Sequence, residues 1–183
     1  EEWGIIDELD ISVFDQSFHP GVPLIELRPR SSSLATGRIC FLLLGDKLYR
    51  LNGTSPPIHE VNGKKNPLID EKTVLSYLAF FCFFVRGEEG PFLIVDRRGN
   101  GFLPDLSGSY GSNMNNAFRP PQVWGQDGLG NWLVSGLVYY SNAIFFADFQ
   151  VQSSGMIEVV GDATVLTDLP ARVESPLEIR SPD

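Results

Sequence analysis

Cysteine and histidine are nearly absent from this chain, which carries two of each in 183 residues. Two cysteines cannot build a disulfide framework. Cys40 and Cys82 each stand inside an apolar run, where a free thiol behaves as a small hydrophobe. The reading is a reducing, cytoplasmic setting. His19 and His59 have no second His or Cys at ligand spacing, which argues against a His-based metal site. Long apolar runs are missing too. The stretch 74–85 has twelve residues, short of the roughly 20 that cross a bilayer. No secretory signal opens the chain, which does not begin with Met, and the expectation is a soluble protein without membrane contact.

Several motifs are absent or broken. There is no Gly-x-Ser-x-Gly elbow and no Gly-Lys-Ser/Thr phosphate loop. Gly128-Leu129-Gly130 lacks both a third glycine and a preceding strand, so it is no dinucleotide fingerprint. The run from Asp96 to Gly101 has the look of a calcium loop, but Arg98 fills a ligand position and Ser107 stands where a bidentate Glu belongs. The match of Asn52-Gly53-Thr54 to a glycosylation sequon means little without a secretory signal. Neither a metal nor a cofactor is expected.

Positive charge is scarce. Fourteen Lys and Arg face 23 Asp and Glu, for a net charge of −9. Residues 1–30 and 131–183 each carry −5, while the middle is close to neutral. Such a surface repels phosphate backbones and speaks against nucleic acid as a partner. It favours solubility, and it could meet a basic protein partner.

What the chain does have is phenylalanine: 13 residues, concentrated at 80–84 and 145–149. The run from Tyr77 to Val85 is apolar on every side, so a helix there must be covered all round. Asp70 reads as its N-cap and Gly87 as its C′ residue, predicting a helix over 71–86. Ahead of it, residues 38–44 and 47–51 read as a hairpin closed by Gly45-Asp46. Leu48 and Arg50 take one face of its second strand, and Tyr49 and Leu51 the other. Leu9, Ile11 and Val13 alternate as a short strand. Residues 16–37, rich in proline, read as mostly loop with an edge strand at 24–28. Residues 54–70 read as irregular, with an extended piece around 58–61. Three apolar stretches, 132–140, 143–152 and 156–166, read as an antiparallel meander. The fold class is therefore α+β: a twisted antiparallel sheet, made of the N-terminal hairpin and the C-terminal three-strand meander, wrapped around one buried central helix. A cone-shaped sheet of this kind would resemble cystatin-like folds, which however put their helix first. One domain spans 1–183, with 1–37 a partly extended arm and 168–183 a tail.

Two functional classes follow. The first is a non-catalytic binding or protein-interaction module. Residues 99–131 hold seven Gly and five Asn with almost no periodicity, as in an adaptable recognition loop. Tyr110, Asn113, Asn115, Asn116 and Trp124 are its candidate partner-binding residues. The alternative is a small-molecule hydrolase or lyase with an acidic pocket at the helix–strand junction. Glu88 and Glu89 sit there between two glycines, where paired carboxylates can divide acid and base roles. His59, Arg97 and Arg98 complete that candidate set, and it requires His59 and a Glu to converge on one cavity. Arg86 could also pair with the glutamates. Cys82, among phenylalanines and far from any cation, is no nucleophile. A homo-oligomer covering the Phe-rich helix is a third arrangement.

Overall fold

Residues 8–30, 36–95, 118–169 and 175–180 are described by a computed structural model. Among them, antiparallel strands predominate beside two helices, an α+β architecture without a barrel. The first half contributes β1 (Leu9–Gln16), β2 (His19–Pro29), β3 (Thr36–Gly37), β4 (Ile39–Leu44) and β5 (Lys47–Leu51). Four of these form a sheet in the order β1-β2-β4-β5. The β4–β5 hairpin follows the sequence pattern: Tyr49 and Leu51 are buried, while Leu48 and Arg50 face solvent.

The stretch expected to be mostly loop instead holds the eleven residues of β2, inside the sheet and not at its edge. The proline positions explain how. Only Leu24–Leu27 pair with both β1 and β4. Pro20, Pro23 and Pro29 fall outside that doubly bonded stretch, so their missing N–H groups interrupt no shared ladder.

The extended piece expected around 58–61 is a helix, α1 (Pro56–Lys64). Its prolines occupy the first turn, where a missing N–H is no loss and a fixed φ is already helical. Ile58, Val61 and Asn62 then share one buried face at helical spacing.

The Phe-rich run is helical as expected, forming α2 (Val74–Phe84), but its ends differ from the reading. Asp70 accepts hydrogen bonds from the Lys72 and Thr73 amides and the Thr73 hydroxyl at 2.8–3.0 Å. It thus closes the turn before the helix, and Thr73 holds the N-cap position. The C-cap is Val85 in extended backbone, so Gly87 is not a left-handed C′ residue. It is glycine for another reason: a Cβ there would overlap the Tyr140 phenol.

The second half supplies β6 (Leu93–Val95), β7 (Gln122–Gln126), β8 (Trp132–Tyr140), β9 (Ala143–Val151) and β10 (Ile157–Leu166). The meander lies where the three apolar stretches put it, and its sheet runs β10-β9-β8-β6, with β7 also on β8. β7 adds regular structure within a stretch whose sequence lacks periodicity. Hairpin and meander therefore belong to separate sheets, and two helices stand where one was expected. At the C-terminal end, β11 (Ile179–Arg180) pairs with β3 and Leu177 is buried, so part of the expected tail is docked.

One buried cluster joins the two larger sheets and both helices. It contains Cys40, Leu42, Tyr49 and Leu51 of the first sheet, Ile58 and Val61 of α1, and Tyr77, Leu78 and Phe80 of α2. Val134, Val138, Ala147 and Phe149 of the second sheet complete it. A polar chain crosses this cluster. The Asn62 amide donates to the Tyr77 phenol at 2.8 Å and to the Ser154 carbonyl at 3.3 Å, and Tyr77 donates to the Gly155 carbonyl at 2.7 Å. Asn62 Oδ1, an acceptor, lies 2.8 Å from His19 Nε2, so the neutral imidazole carries its proton on Nε2. Burial drives the His19 pKa down, the Asn62 bond opposes that, and nearby Lys65 adds to the lowering. The Tyr77 phenol is pushed up by burial. β2, α1, α2 and the β9–β10 turn are thereby pinned to one another.

Candidate ligand-binding groove

One side of α2 presents Phe81, Cys82 and Val85 to the second sheet, and between them lies a groove of about 340 Å³. Phe92, Val138, Tyr140, Phe145, Ala147, Phe149, Ile157, Val159 and Asp162 complete its lining. The groove has a packing cause. Ala147 sits between Phe145 and Phe149 along β9, and Cys82 sits opposite among phenylalanines. Small side chains flanked by large ones leave space that close packing would otherwise fill.

Burial pushes the Cys82 thiol up to about 12 and the Cys40 thiol up to about 11, so both stay protonated at neutral pH. Tyr140 stacks on Phe92 with ring centroids 4.2 Å apart, and its phenol accepts the Glu89 amide at 3.1 Å.

Among the described residues Asp162 is the one carboxylate on the groove, and a bulge puts it there. Val159 pairs with Phe149, but Gly161 pairs with Asp148, so Val160 is an extra residue in β10. Plain alternation from Ile157 would turn Asp162 to the far face. The added residue reverses that, and Asp162 pairs with Ala147 on the groove face. The carboxylate remains exposed, so it lies at the groove mouth without the desolvation penalty of a buried charge.

The residues singled out from sequence fall in different places. His59, on α1, packs its ring 5.6 Å from that of Phe81. Glu88 and Glu89 are exposed in a tight turn whose ends, Gly87 and Gly90, bond each other at 3.1 and 3.2 Å. Ser141 lies 3.4 Å from the Glu89 carboxylate. Neither His59 nor either glutamate lines the groove, although Tyr140 connects the glutamate turn to it. Arg86 turns to the Phe83 and Ser175 carbonyls. Arg97, Arg98, Tyr110, Asn113, Asn115 and Asn116 lie outside the described residues. Trp124 is the extra residue of a second bulge, between Val123 and Gly125. Its ring is 61% exposed while its N–H donates to Ser135 at 2.7 Å. The sequence reading missed Asp162 and Ala147. Gly161 inside a strand was the available signal for the bulge, and an alanine between two phenylalanines was the signal for the space.

Among the described residues no group of three or more His, Cys, Asp or Glu is arranged to hold a metal ion, and no helix is long and apolar enough to cross a membrane. No protein-family model, curated protein or solved structure matches this chain.

Proposed function

We propose that this chain is a non-catalytic binding module, and that its groove takes a small apolar molecule bearing one ammonium group. The observation that carries this reading is Asp162, turned by the β10 bulge onto an otherwise apolar and aromatic wall. A volume of about 340 Å³ falls within the range of small-molecule sites. Five rings line it, from Phe81, Phe92, Tyr140, Phe145 and Phe149. Aromatic faces beside a carboxylate attract a cation by two routes, ring quadrupole and charge. The ammonium meets Asp162 at the mouth, and the hydrocarbon fills the space beside Ala147. In this reading α2 is the central rod and the meander is the wall of the site. The role is binding because the described residues of the lining offer one carboxylate and a protonated thiol, with no nucleophile–base pair among them.

The test is calorimetric titration with 2-phenylethylamine and with 2-phenylethanol. The amine binds at least tenfold more tightly than the alcohol, Asp162→Asn removes the difference, and Ala147→Phe abolishes both. Equal affinity for the two probes, or no binding of either, overturns the reading. A second reading, contact with a protein through Trp124, draws on that exposed, N–H-anchored ring. Trp124→Ala separates the two, because it leaves amine binding unchanged.

A further inference from the structure

The described residues contain three buried side-chain atoms without a hydrogen-bond partner: His19 Nδ1, Arg86 Nη2 and Ser175 Oγ. Two of the three meet at one place, since Arg86 Nη1 donates to the Ser175 carbonyl. This place lies beyond the C-terminus of α2, where the Arg86 amide also bonds Gly53 and Nε donates to the Phe83 carbonyl. Two guanidiniums converge there. Arg38 and Arg86 lie 5.6 and 5.3 Å from the centroid of the Phe83 ring.

The charge around them does not balance. Glu26, itself buried, is shared between Arg28 on one oxygen at 2.5 Å and Arg38 on the other at 2.8 Å. Arg86 has no carboxylate partner among the described residues. Its pKa is driven down to about 10, first by burial and then by repulsion from Arg38. The neighbouring Cys40 thiol is protonated and supplies no charge. The carbonyl end of α2 contributes about half a negative charge at most. Of the two neighbouring guanidiniums, only Arg38 has a carboxylate, which it shares with the half-exposed Arg28. Cations withdrawn from water are ordinarily paired, and unsatisfied polar atoms on two residues bonded to each other call for an occupant.

We infer that Arg86 and Ser175, assisted by Arg38, form a half-buried site for a small oxyanion, either inorganic phosphate or a carboxylate group. Guanidinium is the donor best matched to such oxygens, through parallel N–H bonds. The Ser175 hydroxyl supplies a further donor, and the anion offsets the Arg86 charge, which no carboxylate among the described residues pairs. The site is separate from the groove, whose lining includes neither Phe83 nor Arg86.

The full chain, exchanged into a sodium chloride buffer, is titrated with inorganic phosphate and with sodium acetate at constant ionic strength while Tm is followed. A saturable rise in Tm with either anion is the expected result. A response to phosphate alone identifies a tetrahedral oxyanion, and a response to acetate identifies a carboxylate. Arg86→Lys and Ser175→Ala each weaken the midpoint at least tenfold, whereas Arg30→Gln, which removes two exposed ion pairs, leaves it in place. If Arg86→Lys does not fold, Ser175→Ala carries the test. The proposal is overturned if neither anion moves Tm, or if wild type and Ser175→Ala respond alike, and water is then the occupant of the site.

Discussion

The β1-β2-β4-β5 sheet and the β10-β9-β8-β6 sheet each turn one face to the shared core, and each has a second face that is also apolar. In the second sheet that face is covered. Leu137, Tyr139 and Ile144 are buried with Leu93, Val95 and Leu169, and Phe118 packs against them. In the first sheet the corresponding face presents Leu9, Ile11, Val13, Ile25, Leu27, Ile39, Phe41, Leu43 and Leu48, by register and alternation. None of these nine belongs to either buried cluster, and Ile11 and Val13 are 68% and 62% exposed. The ladders differ as well. The β2–β4 and β4–β5 pairings are regular, whereas β10 and β7 are bulged where they present Asp162 and Trp124. Apart from an irregularity between Phe14 and Gln16 at the end of β1, regular pairing gives the first sheet a broad uniform surface, and bulges let the second aim individual side chains.

The largest effect comes from breaking the clasp that ties the two sheets together. Gly155 has φ +84°, and a Cβ there would overlap the Asn62 amide and the Tyr77 phenol. Gly155→Ala therefore forces a strained backbone, at about 1–2 kcal/mol, and leaves buried donors unmade at about 1–3 kcal/mol each. Urea denaturation should show a loss above about 3 kcal/mol. A loss under about 1 kcal/mol would mean that the clasp is not what holds the halves together.

Matched truncations probe the two outer faces directly. Ile144, fully buried, should cost about 2–5 kcal/mol as Ile144→Ala. Ile11→Ala should stay within about 0.5 kcal/mol, since its side chain already meets water. Equal losses in the two unfolding curves would show that the first sheet's outer face is covered in solution.

His19 makes the clasp sensitive to pH. Its folded pKa lies below 6.5, so the unfolded chain takes up the proton first. Stability is fully present above pH 6.5 and falls as pH drops below that value, by at most about 1.4 kcal/mol per unit. Denaturation midpoints measured between pH 7.5 and 5 should show this slope, and His19→Gln should remove that contribution. Lys65 is the charged group that faces His19, and it donates to the Pro20 carbonyl.

Periodicity made much of this legible. The β4–β5 hairpin was readable because an apolar run meets Gly45, which has φ +63°. The meander was readable because Ser141 and Gly155, both at positive φ, separate three apolar stretches. Proline misled in both directions. Pro56 and Pro57 look like breakers yet start α1, and the prolines of β2 look like loop yet flank a doubly paired strand. Proline's meaning depends on which N–H the neighbouring strand needs, and that is a tertiary fact. The candidate site was less legible for a related reason. Asp162 faces the groove only because one residue upstream is unpaired, and a pattern read at period two assigns it to the wrong face.

That dependence supplies the gentlest test. Gly161 pairs with Asp148, and a Cβ on it would point at the Asp148 carboxylate 3.6 Å away, on the face opposite the groove. Exchanging the two residues, Gly161→Asp with Asp162→Gly, keeps composition and net charge while moving the carboxylate across the sheet. Repulsion from Asp148 at an exposed edge should cost about 1 kcal/mol or less. The preference for 2-phenylethylamine over 2-phenylethanol should nevertheless disappear, with affinity for the alcohol unchanged. If the exchanged variant kept its preference, attraction by the acidic surface as a whole would explain amine binding, and the bulge would have no part in selecting the ligand.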